Sequence, residues 1–123
     1  MTSLLHEEIT EDIIGAAMAV LNELKPGLNE KIYERALVIE LENRGRKVEC
    51  QKQYEVFYRG EKVGLLQPDL IVDNSVIVET KVAEAFHDSH IAQILGYLAI
   101  TDLGVGLLIN FSQPRLKWKR IIR

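Results

Sequence analysis

The chain holds 123 residues, 47% of them apolar and 27% charged, which excludes a wholly disordered polypeptide and sets the expectation of one domain over residues 1–123. Fifteen Lys and Arg against eighteen Asp and Glu leave a formal charge of −3, so a uniformly basic nucleic-acid-binding surface is excluded while a local basic patch is not. A single cysteine, Cys50, rules out an intrachain disulfide and a cysteine-built zinc or iron–sulfur site.

The opening MTSLLHEEIT has neither the basic flank nor the apolar core of a signal peptide, and no run of ~20 apolar residues follows. The expectation is a soluble cytoplasmic protein with no membrane partner.

Ile9, Ile13, Ala16, Val20 and Leu24 recur at helical spacing and predict a first helix, which Lys25-Pro26-Gly27 breaks. A second helix is expected from Leu28 to Asn43, packing through Leu28, Ile32, Ala36, Ile39 and Leu41, with Gly45 beyond its end. Period two then takes over, with Val48, Cys50, Tyr54, Val56 and Tyr58 on one side of an extended run. Cys50 reads as a small buried hydrophobe. Arg59-Gly60-Glu61-Lys62 has the length and glycine of a hairpin turn. Val63 to Val72 returns as the second strand, bent at Pro68.

Asp73-Asn74-Ser75 is another turn, and Val76 to Val82 reads as a central strand. Asp88 or Ser89 is placed to cap a third helix from His90 to about Thr101, packing through Ile91, Ile94, Leu95 and Leu98. Val105–Phe111 and Leu116–Arg123 complete the chain as strands. The predicted order is two helices, three strands, a helix and two strands. It forms a mixed α/β (α+β) core whose first three strands are antiparallel, with a helical crossover to the fourth.

The informative stretches are Gln67-Pro68-Asp69 and Ser75–Lys81, reading SVIVETK. Glu79 and Lys81 fall two residues apart in a strand and so share a face, roughly 6–7 Å apart. Charges inside so apolar a strand are costly unless paired, hydrated or metal-bound. An ordinary salt bridge on a half-exposed strand is the alternative. The turn at 73–75 lets Asp69 approach Glu79 across the ladder. Two such carboxylates repel unless one is protonated or a cation lies between them. Oxygen ligands of this kind suit Mg²⁺, and Lys81 would add a point charge beside developing phosphate charge.

Glu30 and Tyr33 share one face at the start of the second helix. His90, Gln93 and Tyr97 make a polar row on the third, able to face a phosphate or simply solvent. Arg115, Lys117, Lys119, Arg120 and Arg123 concentrate five basic residues at the C-terminal end, with Lys117 and Lys119 on one strand face. That is either a phosphate-contacting patch or an edge strand guarded by cations. No GxxxxGK[ST] loop, GxSxG elbow or HExxH helix is present.

Gly27-Leu28-Asn29-Glu30-Lys31-Ile32-Tyr33 resembles the signature of the GxxExxY protein family. Asp69, Glu79-Thr80-Lys81, Ala92–Leu98 and Gly106–Phe111 extend the likeness over nearly the whole chain. That family is similar to the PD-(D/E)XK nucleases. The resemblance implies a restriction-endonuclease-like core with a central mixed sheet of about five strands flanked by helices. It implies phosphodiester hydrolysis on DNA or RNA with Mg²⁺ or Mn²⁺. Asp69 and Glu79 would be metal ligands assisted by Glu30, Lys81 would orient water, and Gln93 would position groups beside it. Tyr33, His90, Tyr97, Lys117 and Lys119 remain candidate substrate contacts. A homodimer would enlarge the substrate surface. The other reading is a non-catalytic nucleic-acid-binding or dimeric interaction module that kept the fold.

Overall fold

The computed structural model describes residues 4–123. Two helices come first, α1 (Glu7–Leu24) and α2 (Glu30–Asn43). Five strands follow: β1 (Val48–Cys50), β2 (Tyr54–Tyr58), β3 (Glu61–Leu66), β4 (Leu70–Val72) and β5 (Val76–Lys81). Helix α3 (Asp88–Thr101), β6 (Val105–Asn110) and β7 (Lys117–Ile122) close the chain. Five strands form a mixed sheet in the order β1-β4-β5-β6-β7, and β2 and β3 pair separately. The fold is the expected mixed α/β core, with β5 central and parallel to β6 through the α3 crossover.

Five strands, not three, separate α2 from α3. Each expected long strand is broken once. Gln51 takes a left-handed conformation, φ 55°, which ends β1. Pro68, which has no N–H for a ladder, lies between β3 and β4. The turn between β2 and β3 is also tighter than expected. Arg59 and Gly60 both have positive φ, the two-residue geometry that matches the twist of a hairpin.

Alternation along β4 and β5 sorts the core into two layers. Leu70, Val72, Val76 and Val78 pack with α1 and α2 through Ala16, Val20, Leu37 and Leu41. Ile71 and Ile77 face the other way and pack with Ile94 and Leu98 of α3. Gly106 allows α3 to come close, since a Cβ there would stand 2.5 Å from Cγ2 of Ile94.

Helix α2 packs by a different face than its apolar spacing predicts. Tyr33, Leu37 and Leu41 are buried, while Leu28, Ile32 and Ile39 are exposed. Asn29 caps the helix by accepting from the Lys31 amide, so Leu28 lies outside it. Helix α3 starts at Asp88 instead of His90, with His87 as the cap residue. Leu95 is exposed rather than part of the packing side, because α3 meets the sheet along Ile94 and Leu98. Cys50 is exposed, not buried, because it ends the edge strand of the sheet.

Asp73 and Asn74, both at positive φ, form the turn between β4 and β5. Asp73 is held from outside: Oδ1 accepts from the Lys47 amide and Oδ2 from Arg46. Arg46 also donates to Asp12 of α1, tying the helix to this turn.

Candidate active site

Leu70 pairs with Val78 and Val72 with Val76, so the β4–β5 register continued by one residue sets Asp69 opposite Glu79. Asp69, Glu79 and Lys81 have the strand parity of Ile71 and Ile77, which places all three on the α3 face. The Asp69 amide donates to Oε1 of Glu79 at 2.9 Å, and the Thr80 amide donates to Oδ2 of Asp69 at 3.2 Å. Thr80 itself points toward α1 and α2 and is fully buried.

Glu79 is 4% exposed. Burial, then the charge of Asp69, pushes its carboxyl up to about 8. A side-chain hydrogen bond to Asp69 acts in the same direction, while the Asp69 amide and the charge of Lys81 oppose the rise. At neutral pH the Glu79 carboxyl therefore holds its proton. That donor set suits a divalent cation, since oxygen ligands crowded around a proton accept a hard ion in its place.

Helix α3 borders the pair. Tyr97 is half-buried, and burial followed by the charges of Glu79 and Asp69 pushes its phenol up. Gln93 donates from Nε2 to the Tyr97 hydroxyl at 3.0 Å. His90 accepts the His87 amide at Nδ1, at 3.2 Å. Burial, Lys81 and His87 hold its imidazole below the usual value, which keeps it neutral near pH 7.

Two sequence expectations change at α2. Tyr33 has no exposed surface and cannot meet a substrate. Its ring stacks on Phe111 at 4.8 Å, and its hydroxyl donates to the Lys25 carbonyl and accepts the Leu28 amide. It closes the turn between α1 and α2. Glu30 is exposed, and its Oε1 accepts the Val82 amide at 3.2 Å. It therefore reaches the end of β5 beside Lys81 but does not complete a three-carboxylate cluster. Among the described residues no group of three or more His, Cys, Asp or Glu side chains is arranged to hold a metal.

The basic residues of β7 lie where the register carries them. Lys81, Asn110 and Lys117 form one lateral row across β5, β6 and β7, and Glu79, Leu108 and Lys119 form the next. Opposed residues share a face, so Lys117 and Lys119 stand on the same side as Glu79 and Lys81, two strands or roughly 10 Å away. They line a cavity of about 500 Å³ with Glu84, Phe86, Asn110 and Gln113. Asn110 is buried and braces the β5 exit loop through the Ala83 amide and carbonyl.

The sequence reading passed over Glu34 and Gln51. Glu34 is buried, accepts from Gln51 Nε2 at 3.1 Å and pairs with Lys31 at 2.9 Å. Gln51 in turn donates its amide to the Asp69 carbonyl at 3.0 Å. The two brace the backbone of Asp69 from α2. The Lys31–Glu34 spacing of three was the one available signal, and it also describes any solvated helix pair.

No curated protein matches the sequence. Among solved structures, the chain is similar to SSO0001, with a TM-score of 0.60, 19% identity and 76% of this chain covered. It spans about half of that protein, 49%. An alkaline exonuclease from Laribacter hongkongensis, LHK-Exo, gives a TM-score of 0.51 at 14% identity, covering 93% of this chain and 82% of that one. The same enzyme in complex with dAMP gives 0.50 at 13% identity. At these identities the likeness is one of fold. The sequence profile that matches spans residues 7–121, from the first residue of α1 to the penultimate residue of β7. It takes in both layers of the core and the Asp69–Glu79–Lys81 face, and by it the chain belongs to the PD-(D/E)XK nuclease superfamily.

Proposed function

We propose that this chain is a metal-dependent nuclease of the GxxExxY type, hydrolysing phosphodiester bonds of DNA or RNA. The observation that carries the reading is the opposed pair of Asp69 and Glu79, the latter 4% exposed with its carboxyl pushed up to about 8 and Lys81 next on the same face. A structural ion pair would have left Glu79 with a cationic partner instead of a second acid.

Asp69 and Glu79 would hold Mg²⁺ or Mn²⁺, with Glu30 reaching the site from the end of β5. The ion, when bound, supplies a Lewis acid for the phosphate and the leaving oxygen. Lys81 orients the attacking water and offsets charge developing on phosphorus. Gln93 and Tyr97 act as one hydrogen-bonded unit on the α3 wall. His90, neutral at the mouth of the site, offers Nε2 to a phosphate or water. Lys117 and Lys119 contact the phosphates of the continuing strand.

The test is cleavage of labelled DNA and RNA oligonucleotides with Mg²⁺ or Mn²⁺, native against Glu79→Ala and Asp69→Ala. Cleavage by the native protein, lost in both folded variants, is the expected result. Calorimetry should detect divalent-ion uptake that Asp69→Ala removes. Nucleic-acid binding without ion uptake or cleavage would instead make the chain a non-catalytic binding module on a nuclease fold.

A further inference from the structure

The β2–β3 ribbon is bonded to no other strand. Its base belongs to the candidate site. The Gln51 amide holds the Asp69 carbonyl, and Gln67 Nε2 donates to the Gln51 carbonyl at 3.0 Å. Tyr54 at that base packs against the α3-side core. From there the six residues of β3 carry the ribbon ~20 Å outward to the Arg59–Gly60 turn.

The tip is aromatic on both sides. Phe57 is 59% exposed and Tyr58 62% exposed, and neither joins a core cluster. As consecutive strand residues they point to opposite faces of the ribbon. Arg59 lies over the Tyr58 ring at 5.3 Å from its centroid, and Lys62 stands opposite Phe57 in the ladder. Glu55 and Glu61 occupy the same arm, so the tip has no net basic field to attract phosphate. Its recognition chemistry is stacking supported by a guanidinium. Val63 and Leu65, also exposed, add apolar surface to the arm. Leu65 shares a face with Phe57, but Glu55 and Lys62 stand on that face too and Tyr58 lies on the other, so the arm offers a protein partner no single apolar patch. Two rings set back to back on a thin ribbon instead fit between flat groups, as wedge side chains fit between bases.

We propose that the β2–β3 tip is a nucleobase-stacking wedge, with Phe57 on one face and Tyr58 on the other, that engages unpaired bases. The preferred substrate is then a single strand or the frayed end of a duplex, its backbone led along the arm toward Asp69. The placement of the strand rests on the nuclease reading of the site, whereas the stacking does not.

The experiment measures fluorescence anisotropy of a short labelled oligothymidylate, and of a blunt duplex of the same length, in EDTA so that no cleavage occurs. The native protein should bind the single strand about tenfold or more tighter than the duplex. Phe57→Ala/Tyr58→Ala should lose about tenfold or more of the single-strand affinity at an unchanged melting temperature, and Phe57→Trp/Tyr58→Trp should keep it. Equal binding by the native and alanine proteins overturns the proposal. So does failure of the native protein to bind the strand. A native dimer, seen by sedimentation and dissolved by the alanine pair with strand affinity unchanged, assigns the arm to a second copy and also overturns it. Glu79→Gln separates the two readings. If strand binding depends on the two rings but no metal yields cleavage in the native protein, the wedge stands and the nuclease reading falls. If the native protein cleaves, Glu79→Gln does not, and the alanine pair binds and cleaves like native, the wedge alone falls.

Discussion

The amide of Asp69 donates to the carboxylate of Glu79 at 2.9 Å, so one acid holds the other through its own backbone while crowding it with its side chain. Neither can move without disturbing the strand that carries its neighbour.

That arrangement makes stability depend on pH. The Glu79 carboxyl rises from its usual 4.5 to about 8 on folding. The folded chain therefore binds more protons than the unfolded chain between those values. The contribution is fully present below pH 4.5 and is lost as pH climbs through about 8. In EDTA, thermal unfolding should show the native protein weakening from pH 5 to 9. Glu79→Gln should flatten that slope and be more stable at pH 9 by on the order of 2–4 kcal/mol. Added Mg²⁺ should raise the native melting temperature at pH 8 and leave that of Glu79→Gln unchanged.

Lys81 is half-buried and makes no salt bridge among the described residues, as its proposed role at the phosphate requires. Lys81→Met should fold like the native protein and lower kcat for oligonucleotide cleavage ~10²–10³-fold. Circular dichroism and a fluorescence-release assay on the same preparation check both halves.

Tyr33 separates a structural role from a substrate role. Tyr33→Phe keeps the stack on Phe111 and loses the hydroxyl's bonds to Lys25 and Leu28. Its expected cost is ~1–2 kcal/mol of stability, read by urea unfolding, with KM unmoved. Tyr33→Ala should cost ~3–5 kcal/mol.

The α3 crossover depends on the missing side chain at Gly106. Gly106→Ala sets a Cβ 2.5 Å from Cγ2 of Ile94 and should destabilise by ~1–3 kcal/mol. Adding Ile94→Ala removes the obstacle. The double variant should therefore lose less than the sum of the singles, a coupling that a double-mutant cycle measures.

Local pattern makes much of this legible before any coordinates. The SVIVETK run and the turn at 73–75 are enough to expect Asp69 near Glu79, because alternation and a short turn act over a few residues. The α2 face is not legible in the same way. Leu28, Ile32 and Ala36 compete with Tyr33, Leu37 and Leu41 at the same spacing, and only the neighbouring layers decide between them. The break at Gln51 is hidden for a related reason. A glutamine has no marked preference for positive φ, and its conformation is held by Asp69 and Glu34, distant in sequence. Glu30 illustrates the limit of a motif: its presence says nothing of the Val82 amide that claims one of its oxygens.

The tight bend at Asp73 and Asn74 acts as the indexing pin that sets Asp69 against Glu79. Lengthen it by a single residue with its three-residue form kept, and β5 slides one notch against β4, which sets Val78 in place of Glu79 opposite Asp69. The acid would then be driven among Ala16, Val20 and Leu37, and an isopropyl group would be left beside Asp69. Arg46, held by Asp12 and well away from Asp69 and Glu79, thus fixes which side of the sheet the second acid occupies by clamping the bend.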